Sequence, residues 1–185
     1  MNYPIQNIYM DVYKQGKYTG YPTIFVEFSE DETNIMNEFQ IWKKIKSQYQ
    51  YHLKFSFITV SGVEPTRYYI PPLMNLLCDF SDFQVHLDTN GFRPDYIADT
   101  KECNPYICLK ADTPLNRNIE QSILFSNEIH LNIDKVENPN TYVSYVLSHI
   151  KGIMKPVIYL TSSKSKESLK SFVLKHPQFK MIIGE

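Results

Sequence analysis

Short apolar runs alternate with longer amphipathic segments along this chain of 185 residues. The short runs are rich in β-branched and aromatic residues, which is typical of buried strands. We predict strands at residues 23–28, 55–60, 83–88, 106–111, 128–133, 157–161 and 179–183, after a first extended segment at residues 5–13. Their spacing is mostly about 25 residues, which suits compact strand–helix units.

Segments with helical spacing fill the intervals between these strands. The longest, residues 31–49, is predicted to begin at Asp31 or Thr33. Its apolar stripe consists of Ile35, Phe39, Trp42 and Ile45. Further helices are predicted at residues 70–80, 119–125, 139–150 and 164–175. Two prolines, Pro71 and Pro72, lie in a first helical turn, where proline is tolerated.

The regular alternation of strand and helix predicts an α/β fold with a mostly parallel sheet. The chain is shorter than the roughly 250 residues of a full eight-unit barrel. We therefore expect a partial, open (β/α)6-type barrel. No linker or low-complexity segment divides it, so we expect a single domain covering residues 1–185.

Composition and charge exclude several classes of function. Hydrophobic residues make up 43% of the chain and aromatic residues 14%, as in globular proteins. The formal net charge is -1, and the basic stretch at residues 43–46 is predicted to be a solvated helix face, so we expect no nucleic-acid partner. No apolar run approaches the roughly 20 residues that span a bilayer, and no signal peptide is recognisable. We expect a soluble, cytoplasmic protein without a membrane partner.

The three cysteines are Cys78, Cys103 and Cys108. Because their number is odd and their positions are scattered, they do not resemble a disulfide framework. We interpret them as small buried apolar residues. The alternative is a three-cysteine metal or iron–sulfur site, although the ligands of such sites are normally closely spaced.

Polar residues follow the predicted strands. In parallel α/β sheets the ligand site lies beyond the carboxyl ends of the strands. The residues at these ends are Ser29, Glu30, Ser61, Gly62, Glu64, Asp88, Thr89, Asn90, Lys110, Asp112, Asn132, Asp134, Thr161 and Ser162. Any strand that leaves the core also ends in polar residues, so a ligand cleft and a plain solvent-facing edge both remain open.

Four segments in a fixed order carry a resemblance to a known family. They are residues 18–28, Val60-Ser61-Gly62-Val63-Glu64-Pro65-Thr66, Leu87-Asp88-Thr89-Asn90-Gly91 and residues 106–114. The second matches a "TGGEP" turn with one change, and the third matches a "DTNG" turn without change. Together they resemble small radical S-adenosylmethionine (radical SAM) enzymes, in particular the activating enzymes of anaerobic ribonucleotide reductase and the 7-carboxy-7-deazaguanine synthases.

The resemblance implies that S-adenosylmethionine (SAM) binds at the rim of a partial barrel. The ligand-binding residues that it suggests are Ser61, Gly62, Glu64, Asp88, Thr89, Asn90, Lys110 and Asp112. Glu64 and Asp88 would contact the ribose or amino group of the ligand. Alternatively, Glu64 and Asn90 only tie the turns together through backbone hydrogen bonds. The resemblance also suggests a protein partner similar to anaerobic ribonucleotide reductase, or a homodimer.

The chain departs from the family at the position of the iron–sulfur cluster. The family has three cysteines spaced C-x3-C-x2-C after its first strand, whereas residues 29–39 contain none. Carboxylate, amide and methionine side chains do not replace thiolates at a soft iron–sulfur site. Val63 also stands where the family has the second glycine of its "GGE" turn. We therefore expect no [4Fe–4S] cluster and no radical chemistry by the family's mechanism.

Three hypotheses remain. The first is a non-catalytic, cluster-less protein (a pseudoenzyme) that binds a nucleotide-like ligand, SAM included, or a partner protein. The second is an enzyme that uses another metal, or acid–base chemistry from the carboxylates and the lysine of the rim. The third is a true radical SAM enzyme whose cluster uses the three cysteines or those of a partner chain. We assign no catalytic residue and no metal ligand.

Two histidines alternate with polar residues on predicted strands, His86 with Asp88 and His130 with Asn132. Residues two apart on a strand face the same side. If these faces point into the barrel, His86, Asp88 and His130 would approximate a two-histidine, one-carboxylate metal site. The alternative is that the histidines form hydrogen bonds in the core or face outward.

Two smaller predictions concern side chains near the rim. Lys110 and Asp112 share a face and are expected to form a structural ion pair. Four tyrosines are placed near the rim loops, where they would stack on a nucleoside base or pack structurally. They are Tyr18, Tyr21, Tyr68 and Tyr69.

Overall fold

The computed structural model describes residues 1–49, 57–80, 83–111, 116–135, 138–150, 156–161, 170, 174 and 180–181. The strands are β1 (Asn2–Val12), β2 (Pro22–Phe28), β3 (Ile35–Asn37), β4 (Phe57–Gly62), β5 (Gln84–Thr89), β6 (Tyr106–Lys110), β7 (Glu128–Asn132), β8 (Val157–Thr161) and β9 (Lys180–Met181). The α-helices are α1 (Glu38–Tyr49), α2 (Pro71–Phe80), α3 (Pro94–Ala98), α4 (Arg117–Ile123) and α5 (Pro139–His149).

The strands form one sheet in the order β3-β1-β2-β4-β5-β6-β7-β8-β9. β1 is antiparallel to its neighbours β2 and β3, whereas every pairing from β2 through β9 is parallel. The six strands predicted between residues 23 and 161 are confirmed as β2 and β4 to β8. Within the described residues no pairing joins β3 to β9, so the sheet is open. The predicted α/β fold with a mostly parallel, open, partial barrel is confirmed.

The two faces of the sheet differ in chemistry because side chains alternate along each strand. The outer face is apolar and packs against the helices. It carries Ile24, Val26, Ile58, Val60, Val85, Leu87, Ile107, Leu109, Ile129, Leu131, Ile158 and Leu160. The inner face is largely polar or aromatic. It carries Thr23, Thr59, Ser61, His86, Asp88, Tyr106, Cys108, Glu128, His130 and Tyr159.

The helix predicted at residues 31–49 begins seven positions later, at Glu38. Residues Ile35–Asn37 instead form β3 and pair with the start of β1. Asn37 and Gln40 cap the helix reciprocally: the Asn37 side chain accepts from the Gln40 N–H, and the Gln40 side chain accepts from the Asn37 N–H. The predicted stripe is therefore wrong at Ile35 and Phe39, which are exposed, and the buried face centres on Ile41 and Ile45.

The remaining helices agree better with the sequence pattern. Predictions at residues 70–80, 119–125 and 139–150 are confirmed as α2, α4 and α5, whereas the short helix α3 was not predicted. Most of the segment predicted at residues 164–175 lies outside the described residues. Among the described helices, none combines the length and the hydropathy that crossing a bilayer requires.

Two of the cysteines form a disulfide, so their interpretation as free apolar residues is wrong. Cys78 of α2 bonds to Cys103 of the 3₁₀ turn Lys101–Cys103, with 5.7 Å between the Cα atoms. This pair packs on the apolar, helix-covered side of the sheet. Cys108 is free and buried, and its sulfur lies near Glu128 and His130 on the inner face. The three cysteines therefore do not converge on one iron–sulfur cluster.

The loop between β1 and β2 covers the amino end of the parallel sheet. Tyr18 in this loop packs against Phe57, His86 and Tyr106, with ring centroids 4.9–5.4 Å apart. These partners lie at or near the first residues of β4, β5 and β6. The prediction that Tyr18 and Tyr21 lie at the carboxyl rim is therefore wrong, because the loop precedes β2 and reaches the opposite end.

Candidate functional site

Two sharp turns at the carboxyl ends of β4 and β5 build the rim. Gly62 has a φ of +97°, and a Cβ there would lie 2.4 Å from the Phe28 carbonyl oxygen. Gly91 has a φ of +75°, and its Cβ would lie 2.7 Å from the Ser122 hydroxyl oxygen. Both positions therefore need glycine for backbone conformation and for close approach.

Glu64 joins these two turns. Its Oε1 accepts hydrogen bonds from the Thr66 N–H at 3.2 Å, from the Thr66 hydroxyl and from the Thr89 hydroxyl at 2.5 Å. Its Oε2 accepts from the Asn90 N–H at 2.5 Å. Glu64 is only 5% exposed, and all of these donors belong to the two turns. The carboxylate thus ties the turns together, and the exposed groups around it are the ones that a ligand would meet.

The other predicted rim residues divide by exposure. Gly62 and Asn90 are exposed, whereas Ser61, Asp88 and Thr89 are buried. A ligand that reaches the rim from solvent therefore meets the glycine backbone and the asparagine amide first.

Asp88 and Lys110 form an ion pair on the inner face just below the rim. The Asp88 Oδ2 lies 3.4 Å from the Lys110 Nζ, and its Oδ1 accepts a hydrogen bond from the Tyr13 hydroxyl at 2.8 Å. Burial raises the pKa of Asp88, and Lys110 and Tyr13 oppose that rise. The predicted pair of Lys110 with Asp112 is not tested, because Asp112 lies outside the described residues.

Aromatic rings and guanidinium groups border the two turns on their exposed side. We call this surface, formed by Arg67, Tyr69, Phe92, Arg93 and Tyr96, the rim platform. Phe92 is 51% exposed, and the Arg67 guanidinium lies 6.0 Å from its ring centroid. The Arg93 guanidinium lies 4.2 Å from the Tyr96 ring. Of the tyrosines predicted at the rim, Tyr69 belongs to this platform.

A second polar cluster lies deeper, on the inner face. Glu128 is fully buried, and its Oε1 lies 3.2 Å from the His130 Nε2. Its Oε2 accepts hydrogen bonds from the Lys17 N–H at 3.2 Å and from the Tyr106 hydroxyl at 3.1 Å. Although burial acts to raise the pKa of Glu128, these bonds hold it below its usual range. A Cβ at Gly16 would lie 2.1 Å from the carboxylate, so the loop backbone packs directly against the cluster at the amino end of the sheet.

Sequence reasoning missed Glu128, which it treated only as the start of a strand. The available signal was the alternation along Glu128-Ile129-His130-Leu131-Asn132, in which every second residue is polar. In a sheet whose other face is covered by helices, that alternation indicates a polar inner face.

His86 is buried on the same face without a hydrogen-bond partner for either ring nitrogen among the described residues. Its ring stacks on Phe57 with 3.9 Å between centroids. Burial lowers the pKa of His86 to about 4, and the nearby Glu128 charge opposes this shift. The interpretation that hydrogen bonds satisfy this histidine is therefore wrong.

The structure does not join His86, Asp88 and His130 into one potential metal site. Among the described residues, the group whose ligand atoms all lie within 4.8 Å of one another is Cys108, Glu128 and His130. Only His130 is common to both sets.

The residues of the rim do not fit a [4Fe–4S] cluster of the radical SAM type. The segment after β2 offers Ser29, Glu30, Asp31 and Asn34 but no thiolate. Ser29 accepts a hydrogen bond from the Asp31 N–H, and Asn34 donates one to the Ile5 carbonyl, so parts of this segment serve a structural role. Hard oxygen and amide ligands do not replace cysteine sulfur in such clusters.

A solved structure shares this architecture. QueE from Escherichia coli superimposes with a TM-score of 0.75, over 100% of this chain and 94% of its own. The chain has the fold of QueE. The sequence identity is 16%, so the likeness concerns the fold. No protein-family model matches the sequence, and no curated protein matches it.

QueE is a radical SAM protein, a 7-carboxy-7-deazaguanine synthase. The resemblance read from the motifs is thus confirmed as a QueE-like fold over the full chain.

Proposed function

We propose that this chain is a cluster-less protein of QueE-like fold that binds a nucleotide-like ligand at the rim without cleaving it. The observation that carries the proposal is the set of hydrogen bonds that the Glu64 carboxylate accepts. These bonds hold the turns after β4 and β5 together and leave Gly62 and Asn90 exposed beside the rim platform.

The chemistry of the rim platform suits a nucleotide-like ligand. The exposed ring of Phe92 offers a face on which a purine stacks. Arg67 is half exposed, and its ion pair with Glu30 is a long one, at 3.9 Å. Its planar guanidinium matches a phosphate or carboxylate group. Asn90 offers donors and an acceptor to a ribose.

The absence of the cysteine motif argues against radical cleavage of a bound ligand. Residues 29–39 contain no cysteine, so the segment after β2 lacks the thiolates that hold iron for reductive cleavage of SAM. SAM is therefore the first compound to test as a ligand, and 5′-deoxyadenosine is not an expected product.

The test is isothermal titration calorimetry with SAM, S-adenosylhomocysteine, ATP and GTP. We expect at least one of them to bind, and Phe92→Ala to weaken that binding by about fivefold to 150-fold, as loss of about 1–3 kcal/mol of stacking predicts. Phe39→Ala is the matched control, because Phe39 is an exposed phenylalanine of α1. It should leave binding unchanged.

Two outcomes would contradict the proposal. If none of the four compounds binds, the proposal fails, and a stable complex with an anaerobic ribonucleotide reductase, or a dimer on size exclusion, would then favour a protein-binding function. If the pure, reduced protein forms 5′-deoxyadenosine from SAM, the chain is a radical enzyme.

A further inference from the structure

Three side chains of different ligand type converge inside the barrel, away from the rim platform. Cys108 on β6 is directly opposite Glu128 on β7, and His130 lies two residues further along β7. Side-chain alternation therefore points all three to the inner face. Their sulfur, oxygen and nitrogen atoms lie within 4.8 Å of one another. Cys108 and Glu128 have no exposed surface, and His130 has 6%.

The separations suit one small metal ion. The Glu128 Oε1 and the His130 Nε2 are 3.2 Å apart. In a tetrahedral site with bonds of about 2.0–2.1 Å, two such ligand atoms are about 3.3 Å apart. An ion between them would need little movement of this pair, and the Cys108 sulfur would complete a third corner.

The surrounding groups hold two of these side chains in place. The Lys17 N–H and the Tyr106 hydroxyl both donate to the Glu128 Oε2, which leaves Oε1 directed at His130. The Tyr159 ring stacks on the His130 ring with 5.1 Å between centroids. Outer contacts of this kind fix the orientation of metal ligands.

His86 gives a second, independent observation. It is fully buried on the adjoining strand β5, and neither ring nitrogen has a hydrogen-bond partner in the described part of the chain. A buried imidazole without partners is costly unless something binds it. The His86 ring centroid lies 5.0 Å from that of Tyr106, whose hydroxyl donates to Glu128, so His86 borders the three candidate ligands on the inner face.

We propose that Cys108, Glu128 and His130 bind one Zn²⁺ ion inside the barrel. Mixed sulfur, nitrogen and oxygen donors favour zinc over magnesium or calcium, which prefer oxygen ligands alone. The site goes beyond ligand binding at the rim and shares no ligand residue with it. Cysteine binds metals as the thiolate, so Zn²⁺ would displace the thiol proton of Cys108 when it binds.

The test replaces zinc with Co²⁺, whose spectrum reports its ligands. Protein stripped with a chelator should bind one equivalent of Co²⁺ and show a thiolate-to-cobalt charge-transfer band with intense tetrahedral d–d bands. Cys108→Ser should abolish the charge-transfer band. His130→Gln should weaken Co²⁺ binding about 100-fold or more, since loss of an outer contact alone costs about 10–100-fold.

The double variant Cys78→Ser/Cys103→Ser is the matched control, because it removes the two other cysteine sulfur atoms and leaves the inner face intact. It should keep the charge-transfer band. The wild-type titration tests the proposal even if a ligand variant fails to fold, because absence of a charge-transfer band at saturating Co²⁺ overturns the proposal. A band that survives Cys108→Ser but disappears in the double variant overturns it as well. Phe92→Ala should leave the Co²⁺ spectrum unchanged, so this test and that of the rim fail independently.

Discussion

At Gly62 the chain leaves β4 with a φ of +97°, and an added methyl group would lie 2.4 Å from the Phe28 carbonyl oxygen and 2.5 Å from its nitrogen. Gly62→Ala should add backbone strain of about 1–3 kcal/mol to a steric clash of about 1–3 kcal/mol. We expect the free energy of unfolding to fall by roughly 2–6 kcal/mol, measured by urea denaturation.

Gly20 provides a matched control for this substitution. Its φ is +88°, but no atom lies within 4 Å of the position that an added methyl group would occupy, so Gly20→Ala carries only the backbone strain. If both variants lose the same stability, then the backbone of Phe28 moves aside and the close approach does not require glycine.

His86 makes stability depend on pH, because burial holds its pKa at about 4 against an unfolded value of 6.5. The unfolded chain therefore binds a proton at a pH where the folded chain does not. The contribution of His86 to the free energy of unfolding is fully present above pH 6.5 and is lost as the pH falls towards 4. It amounts to about 3 kcal/mol in chelator-treated protein.

The comparison is with His86→Phe, which keeps a planar ring among Phe57, Tyr13, Tyr18 and Tyr106 and cannot titrate. Urea unfolding of both proteins between pH 7 and pH 4 should show a steeper loss for the wild type. Parallel curves would mean that the folded protein protonates His86 as readily as the unfolded chain, through Glu128 or another neighbour.

At the level of elements, α1 depends on a cap that the sequence pattern misplaced. Asn37 and Gln40 satisfy each other's backbone N–H groups. Asn37→Ala should therefore lower the free energy of unfolding by about 1 kcal/mol. Thr33→Ala is the informative control, since Thr33 is exposed and lies outside the helix. It should change stability by less than about 0.5 kcal/mol. A larger effect at Thr33 than at Asn37 would restore the helix start that the sequence pattern predicts.

The error at α1 has a physical cause. An apolar residue at position 35 continues the helical stripe, but Ile35–Asn37 pairs with the first residues of β1, more than thirty positions earlier in the chain. Local periodicity does not report such a long-range pairing. The strands β2 and β4 to β8 were predictable because their apolar outer faces are dictated by the helices that cover them.

For the whole molecule, the order of elements and the position of the rim followed from sequence. The turns at Gly62 and Gly91 lie where the motifs placed them. The cluster of Cys108, Glu128 and His130 could not be predicted from the sequence, because these residues meet only through strand register. The disulfide could not be predicted either, since an odd number of cysteines carries no information about which two are neighbours.

That disulfide gives the last prediction, which concerns the stability of the molecule as a whole. Cys78 and Cys103 are 25 residues apart and connect α2 to the turn before β6. A closed loop of this size restricts the unfolded chain and stabilises the fold by about 3 kcal/mol. Reduction should therefore shift the urea midpoint of the wild type downward.

The control is Cys78→Ser/Cys103→Ser, which should unfold at the midpoint of the reduced wild type and should not respond to reductant. Alkylation of the denatured chain, followed by intact-mass measurement, counts free thiols. The oxidised wild type should carry one alkyl group, at Cys108, and the reduced form three. Three alkyl groups without reductant would show that the bond does not form. One alkyl group with an unchanged midpoint on reduction would show that the bond forms and that the helix layer, packed on the outer face of the sheet, already restricts the chain as strongly.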